Sequence, residues 1–254
     1  MNIIRTWTLT KKETHRFLKV WVQTVGSPII VALLYFAIFG GALGSRISGF
    51  MDIPYSAFIV PGLALLQSTA NAFQNASSSL VISKYHGNIA DILMAPLSPL
   101  DKTLGYFLGG LFRGLLVAGV VIAVSFVFVP HLFPKHIFAA LLALVLANGI
   151  FAILGTIVGI WGRTFDQMSF MTNFIITPMA FLGGTFYSVS ALPPLAQKLT
   201  FFNPFFYGVD FLRWAFFGVS DVSPLFSACV LIVLFVFLFV LNFLLFAKDW
   251  RLKN

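Results

Sequence analysis

Charge is scarce in this sequence, and acidic charge is scarcest. Only 9% of the 254 residues are charged, Asp and Glu together number eight, and Glu13 is the one glutamate. Soluble domains carry charge on about a quarter of their residues, so this composition excludes that class. Cysteine occurs once, at Cys229, which rules out an intramolecular disulfide and a cysteine metal cluster. No Gly-x-x-x-x-Gly-Lys-Ser/Thr loop, His-Glu-x-x-His or Gly-x-Ser-x-Gly motif occurs, and His15, His86, His131 and His136 are scattered. The chain is therefore not expected to bind nucleotide by the usual loop, to hold a metal or to be an enzyme by itself. The first twenty residues contain Arg5, Lys11, Lys12, Arg16 and Lys19, with no uninterrupted apolar core or small-residue cleavage site, so no cleaved signal peptide is expected.

What the sequence has in abundance is hydrocarbon. Hydrophobic residues make up 59% of it, with 31 Phe, and the mean hydropathy is +0.96. An all-helical integral membrane protein follows, because a charge at the centre of a membrane helix costs about 2.5 to 3.5 kcal/mol on insertion scales. A crossing needs about 20 apolar residues for about 30 Å of hydrocarbon. Six segments qualify, at 22–44, 57–82, 104–129, 137–161, 170–187 and 224–246, the fifth interrupted by Pro178 and Gly183-Gly184. The net charge of +8 then reads as topology and not as nucleic-acid binding. Eleven cations (Arg5, Lys11, Lys12, Arg16, Lys19, Lys84, Lys102, Arg163, Lys248, Arg251 and Lys253) fall on one side, against Arg46, Lys135, Lys198 and Arg213 on the other. Cytoplasmic loops hold the excess of Lys and Arg, so both termini are expected inside.

Several segments carry more than span information. Residues 1–21 form an amphipathic pattern, with Arg5, Lys12, Arg16 and Lys19 in one arc and Ile3, Trp7, Thr10, Thr14, Phe17, Leu18 and Trp21 roughly opposite. This suits a helix lying in the membrane interface, although Leu9 falls on the wrong side and a solvated basic leader is the alternative. The 83–103 connection breaks at Gly87 and can restart at Asn88. It places Ile89, Ile92 and Leu93 on one face beside Lys84, Tyr85, His86 and Asp91. Such a helix is either a docking element for a cytosolic protein or an interfacial helix with no partner. In the second span Gln67, Asn71, Gln74, Asn75 and Ser78 share one face, as helix glue, a subunit seam or the wall of a water-filled path. Gly105/Gly109, Gly110/Gly114 and Gly155/Gly159 allow close helix approach, within the chain or between copies. Arg113 lies inside the third span, to snorkel or to face a path. Residues 188–221 are apolar but punctuated, with an expected re-entrant or interfacial helix near 205–217 and a possible Asp210–Arg213 pair three residues apart.

Two of these segments resemble the ABC type-2 exporter permeases. One is Gly-Asn-Ile-Ala-Asp-Ile-Leu-Met-Ala-Pro-Leu-Ser, residues 87–98. The other runs from Phe181-Leu182-Gly183-Gly184-Thr185-Phe186 through Leu192-Pro193 to Asn203-Pro204-Phe205-Phe206-Tyr207 and Arg213. With the basic amphipathic start and six spans, the resemblance covers essentially the whole chain. It implies a permease subunit of a bacterial inner membrane that pairs with a second copy and with a separate ATP-binding cassette subunit, which holds the ATP and Mg. Gly87, Asn88, Ile89, Asp91, Ile92 and Leu93 would seat in the ATPase, and spans two and five would line the path between copies. Given the topology, the punctuated segment with Gly183, Gly184, Pro204, Tyr207, Asp210 and Arg213 is expected to form a cap over the outer mouth of the path. An ion-driven secondary transporter is the main alternative, and it wants acidic or His residues inside spans; a membrane assembly protein without transport is another.

Overall fold

The computed structural model describes residues 3–42, 53–130 and 132–248. Arg46, His131, Arg251, Lys253 and the last two residues of the first expected span lie outside the described residues. Within them the secondary structure is all helix. In chain order the elements are α1 (Ile3–Lys19), α2 (Ser27–Tyr35), α3 (Tyr55–Tyr85), α4 (Ile89–Met94), α5 (Pro99–Ser125), α6 (Ile137–Trp161), α7 (Phe165–Met171), α8 (Thr177–Leu182), α9 (Pro194–Phe201), α10 (Pro204–Phe217) and α11 (Pro224–Ala247). Five helical stretches are long and apolar enough to cross a membrane: Val22–Gly40, α3, α5, α6 and α11.

The fifth expected span, 170–187, differs. Helix runs from α7 to α8 through a π turn at Thr172–Ile176 and stops at Leu182, and this stretch is not among the five. Pro178 supplies no N–H for the carbonyl of Phe174, so the ladder widens and Thr177 N–H bonds to Thr172 O instead. The same device precedes Pro28, where a π turn at Val22–Gly26 leads into α2. Past Leu182 a helix cannot continue, because Gly184 sits at φ +77° and Gly183 is pressed against the Phe205 ring.

The long α3 is the axis, with α5 and α6 packed against it. Glycines set the approach. A methyl on Gly155 of α6 would run into the Phe73 carbonyl of α3, and on Gly159 it would lie 2.9 Å from Leu80 Cβ. On α5, a methyl at Gly110 would come 2.7 Å from Ala152 Cβ, and at Gly114 it would strike Asn148. These small-residue pairs therefore serve packing within the chain. Lipid tails are as apolar as Leu, so membrane helices gain from close van der Waals contact and not from exclusion of water.

The 183–218 segment folds back onto this core. Asn203 caps α10 by accepting from Phe205 N–H at 3.0 Å, and Gly218 ends it at φ +80°. Nearly every residue between Phe205 and Phe216 is buried, and Thr185 lies so close to Gly62 of α3 that a methyl there would sit 2.6 Å from its carbonyl oxygen. Tyr35, Phe39 and Phe181 stack around Phe186 at 5.3, 5.1 and 5.8 Å, and Tyr55 donates its hydroxyl to Phe186 O at 3.0 Å.

The expected Asp210–Arg213 pair is not the one formed. Arg213 Nη1 lies 3.6 Å from Asp221 Oδ2, its Nη2 donates to Gly184 O at 2.7 Å, and its guanidinium sits 4.0 Å over the Phe58 ring. Asp210 accepts from the Asp221 N–H at 2.6 Å and from Ser227 Oγ at 3.0 Å. The two residues share a helix face, but the chain returning after Gly218 offers each a better-placed partner. Arg213 thus braces the 184 turn, α3 and the 221 loop together.

Two outcomes follow. Arg213→Leu leaves Asp221 and the Gly184 carbonyl without their buried partner, a loss on the order of 3–5 kcal/mol, read as a lowered thermal midpoint of the detergent-purified chain. Gly155→Val forces α3 and α6 apart and is expected to cost about 1–3 kcal/mol on the same measurement; an unchanged midpoint would contradict the packing described.

Candidate functional site

Three surfaces remain after the core is accounted for: one face of α3, the loop helix α4, and the outward faces of α1. On α3 most residues are buried, yet Gln67, Asn71 and Ser78 are half-buried and Gln74 is exposed. Asn71 Nδ2 bonds back to Gln67 O at 2.9 Å, a local tie that leaves the row otherwise open. The structure splits the five-residue polar stripe. Asn75 is fully buried, and Asn75 and Ser78 are taken by Arg16 of α1, whereas Gln67, Asn71 and Gln74 look out of the protomer. Amides facing hydrocarbon lack partners, so an open amide row on a buried membrane helix calls for water or a second protein surface against it.

Arg113 is buried, and its Nε has no hydrogen-bond partner among the described residues.

The loop helix begins as the sequence indicates. Gly87 takes φ +75°, and α4 runs for six residues before Ala95 N–H closes onto Asp91 O at 3.0 Å. Asn88 occupies the cap position, but its side chain makes no capping bond. The apolar edge turns partly inward: Ile89 and Leu93 pack with Leu97 against Leu9, Leu80, Tyr106, Ile160 and Phe246. Ile92 lines a groove of 370 Å³ between α4 and α1, with Ile4, Leu9, Ala95 and Leu97 as its apolar walls and Arg5 and Lys12 at its rim. What faces outward is Tyr85, His86, Gly87, Asn88, Asp91 and Met94, with Tyr85 71% and Met94 77% exposed. Lys84 is turned inward, donating to Ile160 O and, at 3.1 Å, to Gly162 O. It thereby caps the C-terminus of α6, where a cation suits both the free carbonyls and the helix dipole.

Helix α1 has three sectors and not the two its sequence pattern suggests. Thr6, Leu9, Thr10, Glu13 and Phe17 are buried against the bundle; Ile3, Ile4, Trp7 and Leu18 are exposed apolar residues with the exposed Lys11 among them, followed by Trp21 just past the helix; Arg5, Lys12 and Lys19 form an exposed basic edge. Thr10 and Phe17, expected on the apolar outer arc, point inward, and the misfit Leu9 is explained by a glycine notch. Leu9 lies where a methyl on Gly105 of α5 would come within 2.5 Å of it. Thr6 Oγ1 donates to Asp101 at 2.9 Å, and Asp101 closes a capping box with Ser98 at the start of α5. The signal for that box, Ser98-x-x-Asp101 before an apolar run, was present in the sequence. No comparable signal announced the inward turns of Lys84, Glu13 or Arg16.

Residues 4–217 match the family model described as ABC-2 type transporter. Over 230 residues the chain is 41% identical to the inner membrane transport permease YadH of Escherichia coli strain K12, covering 91% of this chain and 89% of that protein. It is 25% identical over 210 residues to nodulation protein J of Neorhizobium galegae, covering 80% of this chain and 78% of that one. With nodulation protein J of Rhizobium leguminosarum bv. viciae the identity is 30% over 105 residues, 41% of this chain and 39% of the other. Together with its apolar helices, this makes the chain a transmembrane permease belonging to the ABC-2 type transporter family.

Proposed function

We propose that this chain is the membrane subunit of an ABC exporter in the bacterial inner membrane, with both termini cytoplasmic. It works as a dimer, and a separate cassette subunit binds ATP and Mg and hydrolyses the ATP. The observation that carries this reading is the open amide row Gln67, Asn71 and Gln74 on a helix otherwise buried in its own protomer. Two copies facing each other across α3 would turn that row into the wall of a polar path. The 165–182 stretch, at 1.5 Å per helical residue, has about 27 Å of length and serves as the sixth crossing beside the path. Its outer surface is exposed at Phe170, Phe174, Ile175, Phe181 and Leu182 and awaits a partner surface or lipid. The α10 cap lies over the outer end, and α1 lies in the inner interface with Ile3, Ile4, Trp7, Leu18 and Trp21 toward lipid.

Coupling runs through α4. ATP binding draws two cassettes together, the outward side chains Tyr85, His86, Asn88, Asp91 and Met94 ride on them, and Ile89 and Leu93 pass the displacement to the bundle beneath. Such a two-state change is biased by the differential affinity of ATP for one state. An ion-driven carrier is disfavoured because the three buried acids among the described residues, Glu13, Asp101 and Asp210, are each engaged by hydrogen-bond donors.

Two measurements test this. With the chain and its ATPase co-expressed, Met94→Lys with Tyr85→Ala is expected to reduce copurified ATPase several-fold while leaving the permease folded; full stoichiometry and full permease-dependent hydrolysis would refute the docking face. In a Cys229→Ser background, Gln74→Cys is expected to react with a membrane-impermeant maleimide several-fold faster than Val233→Cys on the exposed face of α11. Equal rates would remove α3 from the path.

A further inference from the structure

We infer that Glu13 and Arg16 form a latch that makes α1 and α3 move as one body, so that displacement of α1 at the cytoplasmic face reaches the open amide row directly. This rests on the exporter-permease reading and adds a second line of transmission beside α4.

Glu13 is the chain's one glutamate and is wholly buried. A buried carboxylate is tolerated only when its oxygens are satisfied, and here each is. Oε1 accepts from Ser79 Oγ at 2.7 Å, and Oε2 faces Arg16 Nε at 3.2 Å. The rest of the guanidinium reaches across to α3. Nη1 donates to Ser78 Oγ at 3.2 Å, and Nη2 donates to Asn75 Oδ1 at 2.9 Å and to the Asn75 carbonyl. The two side chains of α1 therefore grip a full turn of α3, from Asn75 to Ser79. Gln74, the most open residue of the row, is the next residue along.

The grip cannot slip sideways. The Glu13 stem fills the space over Gly109 of α5, and Leu9 fills that over Gly105. Thr6 holds Asp101 one turn further back. Glu13 and Arg16 travel together on α1, so moving α1 without α3 would break the Ser79 bond to the buried Glu13 carboxylate and the Arg16 bonds to Ser78 and Asn75, which is costlier than carrying α3 along. The planar fork is what permits simultaneous bonds to Glu13, Asn75 and Ser78, and an ammonium could not reproduce it.

The test uses the full chain copurified with its ATPase subunit, in the Cys229→Ser background, with Gln74→Cys as reporter and a membrane-impermeant maleimide as probe. Labelling is compared without nucleotide and with ATP plus vanadate. The parent is expected to show a several-fold change in labelling rate. Glu13→Gln and Arg16→Gln are expected to lose that change while ATPase still copurifies, and Arg16→Lys is expected to fall between. If Glu13→Gln fails to fold, Ser79→Ala combined with Arg16→Lys cuts the same attachment and is held to the same outcome. A folded latch variant that keeps the parent's full nucleotide-dependent change overturns the latch. A parent without any such change overturns the exporter-permease reading itself, so the two failures are distinct.

Discussion

Close approach of helix backbones at glycine governs this molecule. In hydrocarbon there is no water to exclude, so helices associate through contact area, and contact area depends on how near two backbones can come. Gly155 and Gly159 let α6 meet α3, Gly110 and Gly114 bring α5 to the same axis, and Gly62 admits the Thr185 turn. The remaining features hang from these approaches. With α3 enclosed on most of its circumference, a single strip of it stays open, and the amides fall on that strip.

Two arginines tie segments that apolar contact alone would leave loose. At one end of the bundle a guanidinium joins the 184 turn, a ring of α3 and the 221 loop. Nearer the other end another joins α1 to α3. Both are arginines with neighbours arranged around a planar fork, and both have an acidic partner close by, Asp221 and Glu13. Between them the helices are held by side chains with no directional preference, which can slide by small amounts without breaking a hydrogen bond.

Five of the six expected spans and the family were legible in the sequence because length, apolarity and punctuation are local. The α10 helix was legible for the same reason, with Asn203-Pro204 at one end and Gly218 at the other. The Asp210–Arg213 expectation failed because their actual partners come from residues up to 29 positions away in sequence, as with Gly184 and Arg213. A helix-face argument sees only neighbours three or four apart. The polar stripe was read as one unit, but a second helix claimed its inner part, and a claim of that kind is tertiary. Likewise α1 presents three surroundings, whereas an amphipathic pattern distinguishes two.

That threefold division restricts how α1 can travel. One arc of it is buried in the bundle, and its exposed apolar residues and its basic edge take two further arcs. A roll by a single residue, about 100°, would carry Glu13 out of the bundle. Tilting and sliding along its own axis preserve all three assignments, and rotation preserves none. Under the proposed placement at the inner interface, α1 therefore behaves as a lever with a fixed orientation about its long axis.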